Sequence, residues 1–487
     1  MQHIKSAFIN TFALASLFLF FRLNSMKKER KLWDPLPTLV ERIAYGKSQR
    51  LQTPREAHKS TAYAASDRKD PVQLIIDSNK DRVPELVPIR HSRMLQSSFA
   101  FFRGTANIMA EDLSHTPNSG INVQSCGDCH LFNFGGYGTP ERNQVFDIND
   151  FDETLQAPFE WDLKRLTASI YIAGRFKGFD EKVIKKAVLD TAKMYALKMR
   201  KYSTMHQLDI WYSTLDKKTI IKLFKNEVKF TKSITAAADK AKRRSHEYVF
   251  PKVSVLETGK RRIIDDPPLI YHPPNVDDLI NKAHSFFDKY YKTLSDDKRA
   301  LLKRYRLVDV AVKVVGVGSI GTRCFIALFT AEDDDALILQ FKEASSSVLE
   351  EYAGQTPYKN HGERIVNGQR LMQTVSDIFL GWSRGPLGRD FYVRQLRDMK
   401  ATANIDNFTP DIFANYALLC GWALAKSHAK SGMSPEVTGY IGNNDVFAEA
   451  LTDFAVSYAG QTEKDYAKFS EAVANKLIEA HPETVHS

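Results

Sequence analysis

Residues 308–342 of the chain read VDVAVKVVGVGSIGTRCFIALFTAEDDDALILQFK. Three runs of apolar and β-branched residues follow one another here, with a period of two that predicts β-strands. The acidic residues 332–335 separate the second run from the third, where a hairpin turn is expected. The stretch therefore predicts a small antiparallel sheet, and its glycines fall between the first two strands.

These glycines form a G-x-G-x-x-G pattern made of Gly316, Gly318 and Gly321. Glycine is needed where the backbone must approach phosphate oxygens closely. A Rossmann fold places this pattern before a helix, whereas a kinase places it between two strands and supplies a lysine from the third strand. Here a strand-like run follows Gly321, and the third run ends in Lys342. The order favours a kinase-type nucleotide site, and a plain hairpin is the alternative.

A second loop, at residues 127–133, reads GDCHLFN. Asp128 and Asn133 have the D-x-x-x-x-N spacing of a kinase catalytic loop. Phosphoryl transfer to a hydroxyl or amine needs a carboxylate that orients the acceptor and takes its proton, and an oxygen ligand for magnesium a few residues on. Asp128 and His130 are the candidate catalytic residues, and we expect His130 to brace the loop rather than to transfer a proton.

An acid-rich segment follows at residues 145–153, with the sequence VFDINDFDE. A short apolar strand that ends in Asp-Phe-Asp resembles the metal-binding element of kinases, and carboxylates on a tight turn suit magnesium. We assign the main metal role to Asp150, while Asp147 and Asp152 remain rivals because the sequence does not fix the register. The alternative is an acidic surface loop or a calcium-like turn.

Residues outside these loops are expected to support them. Asp162 opens a helix and is expected to hydrogen-bond the backbone of the 127–133 loop. Glu350, Glu351 and Glu363 are the candidate partners of Lys342, and Glu363, which begins a later helix, is preferred. Three arginines could hold phosphate or an acidic substrate, or form structural ion pairs: Arg103, Arg394 and Arg397.

Composition sets broad limits. The chain has 487 residues, of which 43% are hydrophobic and 26% charged, so a large core is expected and global disorder is not. Lys and Arg number 68 against 58 Asp and Glu, a mild excess that favours anionic partners without selecting one. Four cysteines make no disulfide framework. Cys126 and Cys129 form a CxxC, but a redox or zinc interpretation would need a second pair or nearby histidines.

The N-terminus has an apolar run at residues 7–21. The run is short for a membrane span, which needs roughly 20 residues, but it fits a signal-peptide core. Met26 and the charged residues 27–31 resemble an ordinary cytoplasmic start. A cytoplasmic protein with an apolar extension at 1–26 is therefore expected, with export or a membrane anchor through residues 5–22 as the alternative.

The two loops come in the reverse of the usual kinase order, because Asp128 precedes Lys342. Either the pieces are circularly permuted, which compact domains tolerate because their termini lie at the surface, or one match is accidental. Permutation predicts an α+β, two-lobed, protein-kinase-like fold with a larger helical lobe and a small antiparallel-sheet lobe. The expected divisions are a helical part at 27–300 with a Lys-rich insertion, a nucleotide-binding sheet at 301–400, and helices at 401–487 that complete the helical lobe.

Several longer strings stand out along the chain: FAFFRGTA, CGDCHLFNFG, VFDINDFDET, FEWDLKRLTASI, VGVGSIGTRCFIALF, GQRLMQTVSDIFLGW, YVRQLRDMK and GYIG. These strings resemble the bacterial family called Domain of Unknown Function 2252, and the resemblance covers most of residues 70–470. It implies a kinase-like fold and no established substrate. The GDxHxxN form of the loop resembles the aminoglycoside- and choline-kinase branch, which implies a small-molecule acceptor. The N-terminal apolar run departs from the family.

The expected function is transfer of a phosphoryl group from ATP, with magnesium, to a small-molecule hydroxyl or amine. A nucleotidyltransferase and a nucleotide-binding regulatory protein without turnover are the alternatives. A nucleic-acid-binding protein that uses the Lys-rich residues 216–263 is less favoured, because aromatic residues for base stacking are sparse there. Membrane association is expected only through the N-terminal segment.

Overall fold

The computed structural model describes residues 33–61, 68–243, 250–251, 253–257, 260–267, 269–274, 276–314, 320–332, 335–396 and 399–481. The N-terminal apolar run, Gly316, Gly318 and Arg397 lie outside these residues. Within the described part of the chain, no helix combines the length and the apolar character that crossing a membrane requires.

The chain up to residue 242 is mainly helical. Its elements are α1 (Leu39–Ser48), α2 (Pro71–Asp77), α3 (Val87–Met94), α4 (Ser98–Arg103), α5 (Ala106–Ser114), β1 (Asn122–Ser125), β2 (Phe134–Gly138), β3 (Gln144–Ile148), β4 (Leu155–Pro158), α6 (Phe159–Phe176), α7 (Glu181–Ser203), α8 (Gln207–Tyr212), α9 (Lys217–Leu223) and α10 (Val228–Lys242).

The rest of the described chain contains most of the strands and then returns to helices. Its elements are β5 (Ser254–Glu257), β6 (Lys260–Ile263), β7 (Ile270–Tyr271), α11 (Val276–Tyr291), α12 (Asp296–Leu302), β8 (Arg306–Lys313), β9 (Cys324–Thr330), β10 (Ala336–Ala344), α13 (Glu350–Ala353), α14 (His361–Met372), β11 (Gly381–Arg384), β12 (Asp390–Gln395), β13 (Ala401–Thr402), α15 (Pro410–Ala429), α16 (Ser434–Ile441) and α17 (Val446–Ala474). The fold is α+β.

The largest sheet has six antiparallel strands in the order β11-β12-β10-β9-β8-β7. Its β8-β9-β10 meander comes from the stretch whose alternation predicted strands, and that prediction is confirmed. The strand β10 lies inside the sheet, pairs with β9 and with β12, and has all nine residues buried. This position explains why most of its residues are apolar.

One face of this sheet is covered by α11. Phe286, Phe287 and Tyr290 of α11 share a core with Phe329 of β9 and Phe341 of β10. Packing alone would therefore group α11 with the sheet, although the expected division at residue 300 groups it with the helical part. Apolar periodicity marks the buried side of a helix but does not say which body buries it.

The helical part is built around α6, α7, α15 and α17, which share one core. Sixteen of the 18 residues of α6 are buried, so the helix is enclosed on all sides rather than amphipathic. The sequence predicts one helical region over 160–205, but the structure has two helices there. Gly178 with its φ of 68° ends the first helix, and Asp180 caps the second by accepting from the backbone N–H of Lys182.

Two short connections join the sheet to the helical part. Directly after β12, the chain forms β13, which pairs with β2 at Gly135 and Gly136. The second connection begins where α14 ends, at Met372. There the side-chain amide of Gln373 donates to the carbonyl of Ile148, and the chain turns into β11. Both connections bring the sheet against the loops at 126–133 and 149–153.

Candidate functional site

Asp162, at the start of α6, fixes the loop that contains Asp128 through hydrogen bonds. The two carboxylate oxygens of Asp162 accept from the backbone N–H groups of Cys126, at 2.8 Å, and Gly127, at 3.0 Å. His428 of α15 lies 3.1 Å from the same carboxylate. The prediction that Asp162 hydrogen-bonds the loop backbone is confirmed.

Asp128 points from this loop into a cavity and is held by Arg165. The Arg165 Nε donates to Oδ1 of Asp128 at 2.9 Å, and its Nη2 donates to the carbonyl of Phe102 at 2.7 Å. Burial raises the pKa of Asp128, and the guanidinium of Arg165 opposes that rise. Arg165 therefore both orients the carboxylate and favours its ionised form.

His130 is buried behind Asp128. Its Nδ1 accepts from the backbone N–H of Phe132 at 3.2 Å, and its Nε2 lies 3.8 Å from Asp128. Burial and the charges of Arg103 and Arg165 lower the pKa of His130 well below its usual value. A neutral ring that caps its own loop fits the expected bracing role.

Asp150 and Asp152 follow β3 and lie beside the same cavity. Asp152 forms an ion pair with Lys342 of β10 and accepts from the Tyr392 hydroxyl at 3.0 Å. Burial by itself would raise the pKa of Asp152, but the charge and hydrogen bond of Lys342, the charge of Arg394 and the hydrogen bond from Tyr392 together outweigh burial, and the pKa is lowered. Burial and then the charge of Asp152 raise the pKa of Asp150.

The structure corrects the candidacy of Asp147 as a metal ligand. Asp147 lies within β3, is fully buried and forms an ion pair with Lys426 of α15. Its Oδ2 also accepts from the backbone N–H and the hydroxyl of Thr374, each at 2.8 Å. Lys426 lies on α15 and Thr374 follows α14, and Asp147 is not among the residues that line the cavity.

Glu363 does not form the expected contact with Lys342, whose described carboxylate partner is Asp152. Asn360 caps α14 by accepting from the backbone N–H of Glu363 at 3.1 Å. The neighbouring Arg364 is the residue that turns inward. Its guanidinium donates to the carbonyls of Thr154, Asp152 and Ser345, at 2.7 to 2.8 Å, and so ties the acid-rich segment to the end of β10.

Gly321 has a φ of 88°, which favours glycine, and its carbonyl accepts from the backbone N–H of Val83 at 2.7 Å. It is the one glycine of the G-x-G-x-x-G pattern that the structure describes. Arg165 and Arg364 were not predicted from the sequence, because both are ordinary basic residues within helical strings.

A cavity of about 180 Å³ joins these elements. It brings together residues from the loop and the acid-rich segment that the sequence singled out, and Arg103. The amide of Asn133 donates to the backbone carbonyl of Asp128 at 2.6 Å, which fixes its orientation at the rim. The polar residues that line the cavity include Asp128, Asn133, Asp150, Asp152, Glu153, Arg82, Arg90 and Arg103.

A second cavity has a volume of about 380 Å³. Its walls include Asn149, Arg394 and the segment Gln395–Leu396 that leaves β12. Burial works against the charge of Arg394, but Tyr392 and the carboxylates of Asp150 and Asp152 raise its pKa. Arg394 therefore belongs electrostatically to the acid-rich segment.

The donor set at the acid-rich segment fits magnesium, which prefers oxygen ligands. Asp150 and Asp152 both line the cavity, and burial and then the charge of Asp152 raise the pKa of Asp150, so a divalent cation would stabilise the two carboxylates there. The CxxC differs. Ligand atoms of Cys126, Cys129 and Asp162 lie within 4.8 Å of one another. However, burial raises the pKa of both thiols and Asp162 is committed to the loop backbone, whereas zinc needs thiolates.

Fold and site together define an α+β protein in which a lysine-bearing antiparallel sheet closes over an acid-rich cavity of a helical body. The chain belongs to the family described as uncharacterized protein conserved in bacteria (DUF2252), whose match extends over residues 82–472. No curated protein matches the chain. No solved structure matches it either.

Proposed function

We propose that the protein is an ATP- and magnesium-dependent phosphotransferase with a circularly permuted kinase-like fold, acting on a small-molecule hydroxyl or amine. The observation that carries the proposal is the ion pair between Lys342 and Asp152, residues 190 positions apart in the chain. It joins the sheet to the acid-rich segment beside Asp128. In kinases, a lysine from the third strand and a carboxylate that follows the catalytic loop face the same phosphates.

The elements around Lys342 support the same assignment. Gly321 lies between β8 and β9, Lys342 lies on β10, and the helix α14 follows. This is the local order of a kinase nucleotide lobe, found here after the loop of Asp128 instead of before it.

The two cavities suggest how a nucleotide would be divided between them. Lys342 would bind the phosphates near Asp152, and the 380 Å³ cavity beside Asn149 and Arg394 would accept the base. Asn133, Asp150 and Asp152 would hold magnesium, which supplies positive charge against the phosphate oxygens when bound.

Asp128 would take the proton of the acceptor. As that hydroxyl or amine forms its bond to the γ-phosphorus, the bond between this phosphorus and the β,γ-bridging oxygen breaks and ADP leaves. Arg165 keeps Asp128 oriented for this step and supports its ionised form.

Calorimetric titration of Mg·ATP into the wild type, Lys342→Ala and Asp150→Asn tests the proposal. We expect saturable, magnesium-dependent binding that weakens by about tenfold or more in each variant, because each removes a charged contact. The exposed pair Lys186–Asp190 on α7 supplies matched controls, Lys186→Ala and Asp190→Asn, which should bind as the wild type does. Absence of binding at millimolar ATP, or equal binding by all variants, would overturn the proposal.

Asp128→Asn separates a phosphotransferase from a regulatory nucleotide-binding protein. In a phosphotransferase, Mg·ATP binding persists while slow ATP hydrolysis falls, because the base that positions the attacking group is lost. In a regulatory protein, neither quantity changes.

A further inference from the structure

Three arginines of the 180 Å³ cavity have no part in the proposed phosphoryl transfer: Arg82, Arg90 and Arg103. Arg103 is the last residue of α4. Its guanidinium lies over the ring of Phe132 at 5.1 Å and near that of Phe99 at 5.9 Å. Its Nε is buried without a hydrogen-bond partner. Aromatic rings thus hold the flat face of the group, and its N–H donors remain for something in the cavity.

Arg90 supports the turn that carries Arg103. It is 1% exposed, and its guanidinium donates to the carbonyl of Gly104 at 2.9 Å and to Oδ1 of Asn79 at 2.7 Å. Its Nε is also buried without a partner. Arg90 is thus a fully buried cation that fixes the backbone turn at Gly104. Because Gly104 follows Arg103 directly, Arg90 also fixes the position of Arg103.

Arg82 lies beside the end of the glycine loop. It donates to the carbonyls of Ser78 and Ile320, and its side chain packs on Gly321. Among the residues that the structure describes, none of Arg82, Arg90 and Arg103 forms a salt bridge with a carboxylate. Nearby Asp128 and Asp152 have their own cationic partners, Arg165 and Lys342 respectively.

This arrangement leaves three recessed guanidinium groups without a salt bridge to a carboxylate among the described residues. Burial lowers the pKa of Arg82, Arg90 and Arg103, which reflects the cost of keeping a guanidinium charged away from water. Arginine nevertheless stays protonated in proteins. A bound anion would offset that cost and use the free donors.

The anion site is coupled to Asp128 by Arg165. The Nε of Arg165 donates to the carboxylate of Asp128, and its Nη2 lies 2.8 Å from that carboxylate and donates to the carbonyl of Phe102, the residue before Arg103. The general base and the free guanidinium are therefore held in a fixed relation on the same wall. One small molecule can contact both.

We propose that the phosphoryl acceptor is itself an oxyanion, a small molecule that carries a phosphate or carboxylate group in addition to its reacting hydroxyl or amine. Arg103 binds that group, Arg82 flanks it from the glycine loop, and Asp128 faces the reacting atom. The identification of the bound molecule as the phosphoryl acceptor rests on the proposed function, whereas the anion site itself does not.

The probe is inorganic phosphate, titrated calorimetrically without nucleotide into the wild type and three variants. We expect saturable binding that weakens by about tenfold or more in Arg103→Gln, because a charged fork is lost. Arg175→Gln removes the same charge from the exposed pair with Glu463 and should bind as the wild type does. Lys342→Ala should also retain phosphate binding, since the anion site is separate from the nucleotide lysine.

Arg103→Lys guards against a folding artefact. It keeps the charge and the contact with the rings but removes the fork, so weaker phosphate binding at an unchanged melting temperature assigns the loss to the guanidinium. A parallel titration with malonate shows whether phosphate or carboxylate is preferred. Phosphate binding that is absent from the wild type, or that depends on Lys342 and not on Arg103, would overturn the anion site.

The two proposals fail in different ways. If Mg·ATP binds as proposed but phosphate affinity is indifferent to Arg103, the anionic acceptor is wrong and the phosphotransferase stands. If phosphate binding depends on Arg103 but Mg·ATP does not bind, the anion site stands and its role as an acceptor site falls with the proposed function.

Discussion

Two lysine–aspartate pairs originate in one acid-rich segment, and they differ in what surrounds them. Lys426 and Asp147 have side chains that are both 0% exposed, and Thr374 closes over the carboxylate. Lys342 is also buried, but 24% of the side chain of Asp152 is exposed towards the cavity. A sealed pair can only hold elements together, whereas a pair that is open on one side can exchange its partner for a ligand.

The largest effect is expected from breaking the sealed pair with Lys426→Met. The carboxylate of Asp147 would be left buried without its cation, and loss of one partner from such a pair costs about 3–5 kcal/mol. Urea denaturation followed by circular dichroism measures the free energy of unfolding. A loss below about 1 kcal/mol would show that water reaches Asp147 and that the two pairs do not differ as described.

The second effect concerns Glu153, which lies beside the open pair. Burial raises the pKa of Glu153 to about 7, partly opposed by Arg364. The folded protein therefore holds a proton that the unfolded chain releases near the usual glutamate pKa of 4.5, so the free energy of unfolding falls as pH rises from about 4.5 to about 7.

Glu153→Gln should remove this pH dependence. The variant is expected to be more stable than the wild type by about 2–3 kcal/mol at pH 8 and nearly equal to it at pH 4. The amide oxygen can still accept from the backbone N–H of Val348, as the carboxylate does at 2.7 Å. Parallel stability curves for the two proteins across this range would contradict the assignment.

A smaller loss of stability is expected from Lys342→Ala. Asp152 is partly exposed and keeps the hydroxyl of Tyr392, so we expect a loss of about 1–2 kcal/mol, well below that of Lys426→Met. The surface variant Lys186→Ala should lose less than about 0.5 kcal/mol. If thermal unfolding showed Lys342→Ala to be as damaging as Lys426→Met, the open pair would be structural as well.

Local patterns made part of this molecule predictable. The meander over 308–342 follows from period-two alternation, and the loop at 127–133 from fixed spacing. The contact of Asp162 with that loop was predicted because it joins elements close in sequence. All three depend on short stretches of chain, which a single sequence displays directly.

The remaining features depend on packing between distant segments. Asp147 and Asp152 are the same residue type in the same segment. They differ in their partners, because Asp147 pairs with Lys426 and Asp152 pairs with Lys342. Glu363 was expected beside Lys342 from its position after β10, but α14 turns Arg364 inward instead. Packing between distant segments, and not residue type, determines the partner of each of these side chains. No sequence pattern therefore identifies the partners.

The early and late parts of the described chain are packed together. Ile75, Met94 and Phe101 share a core with Phe469 and Ile478. The backbone N–H of His481 donates to the carbonyl of Pro88 at 3.2 Å.

The packing therefore does not depend on the order of the segments along the chain. A chain in which the early and late parts were joined, and which was cut at another place, could form the same contacts. Lys303 and Arg304, exposed in the turn that precedes β8, mark a place for such a cut. A chain reordered in this way would begin with the lysine-bearing sheet and reach the loop of Asp128 afterwards.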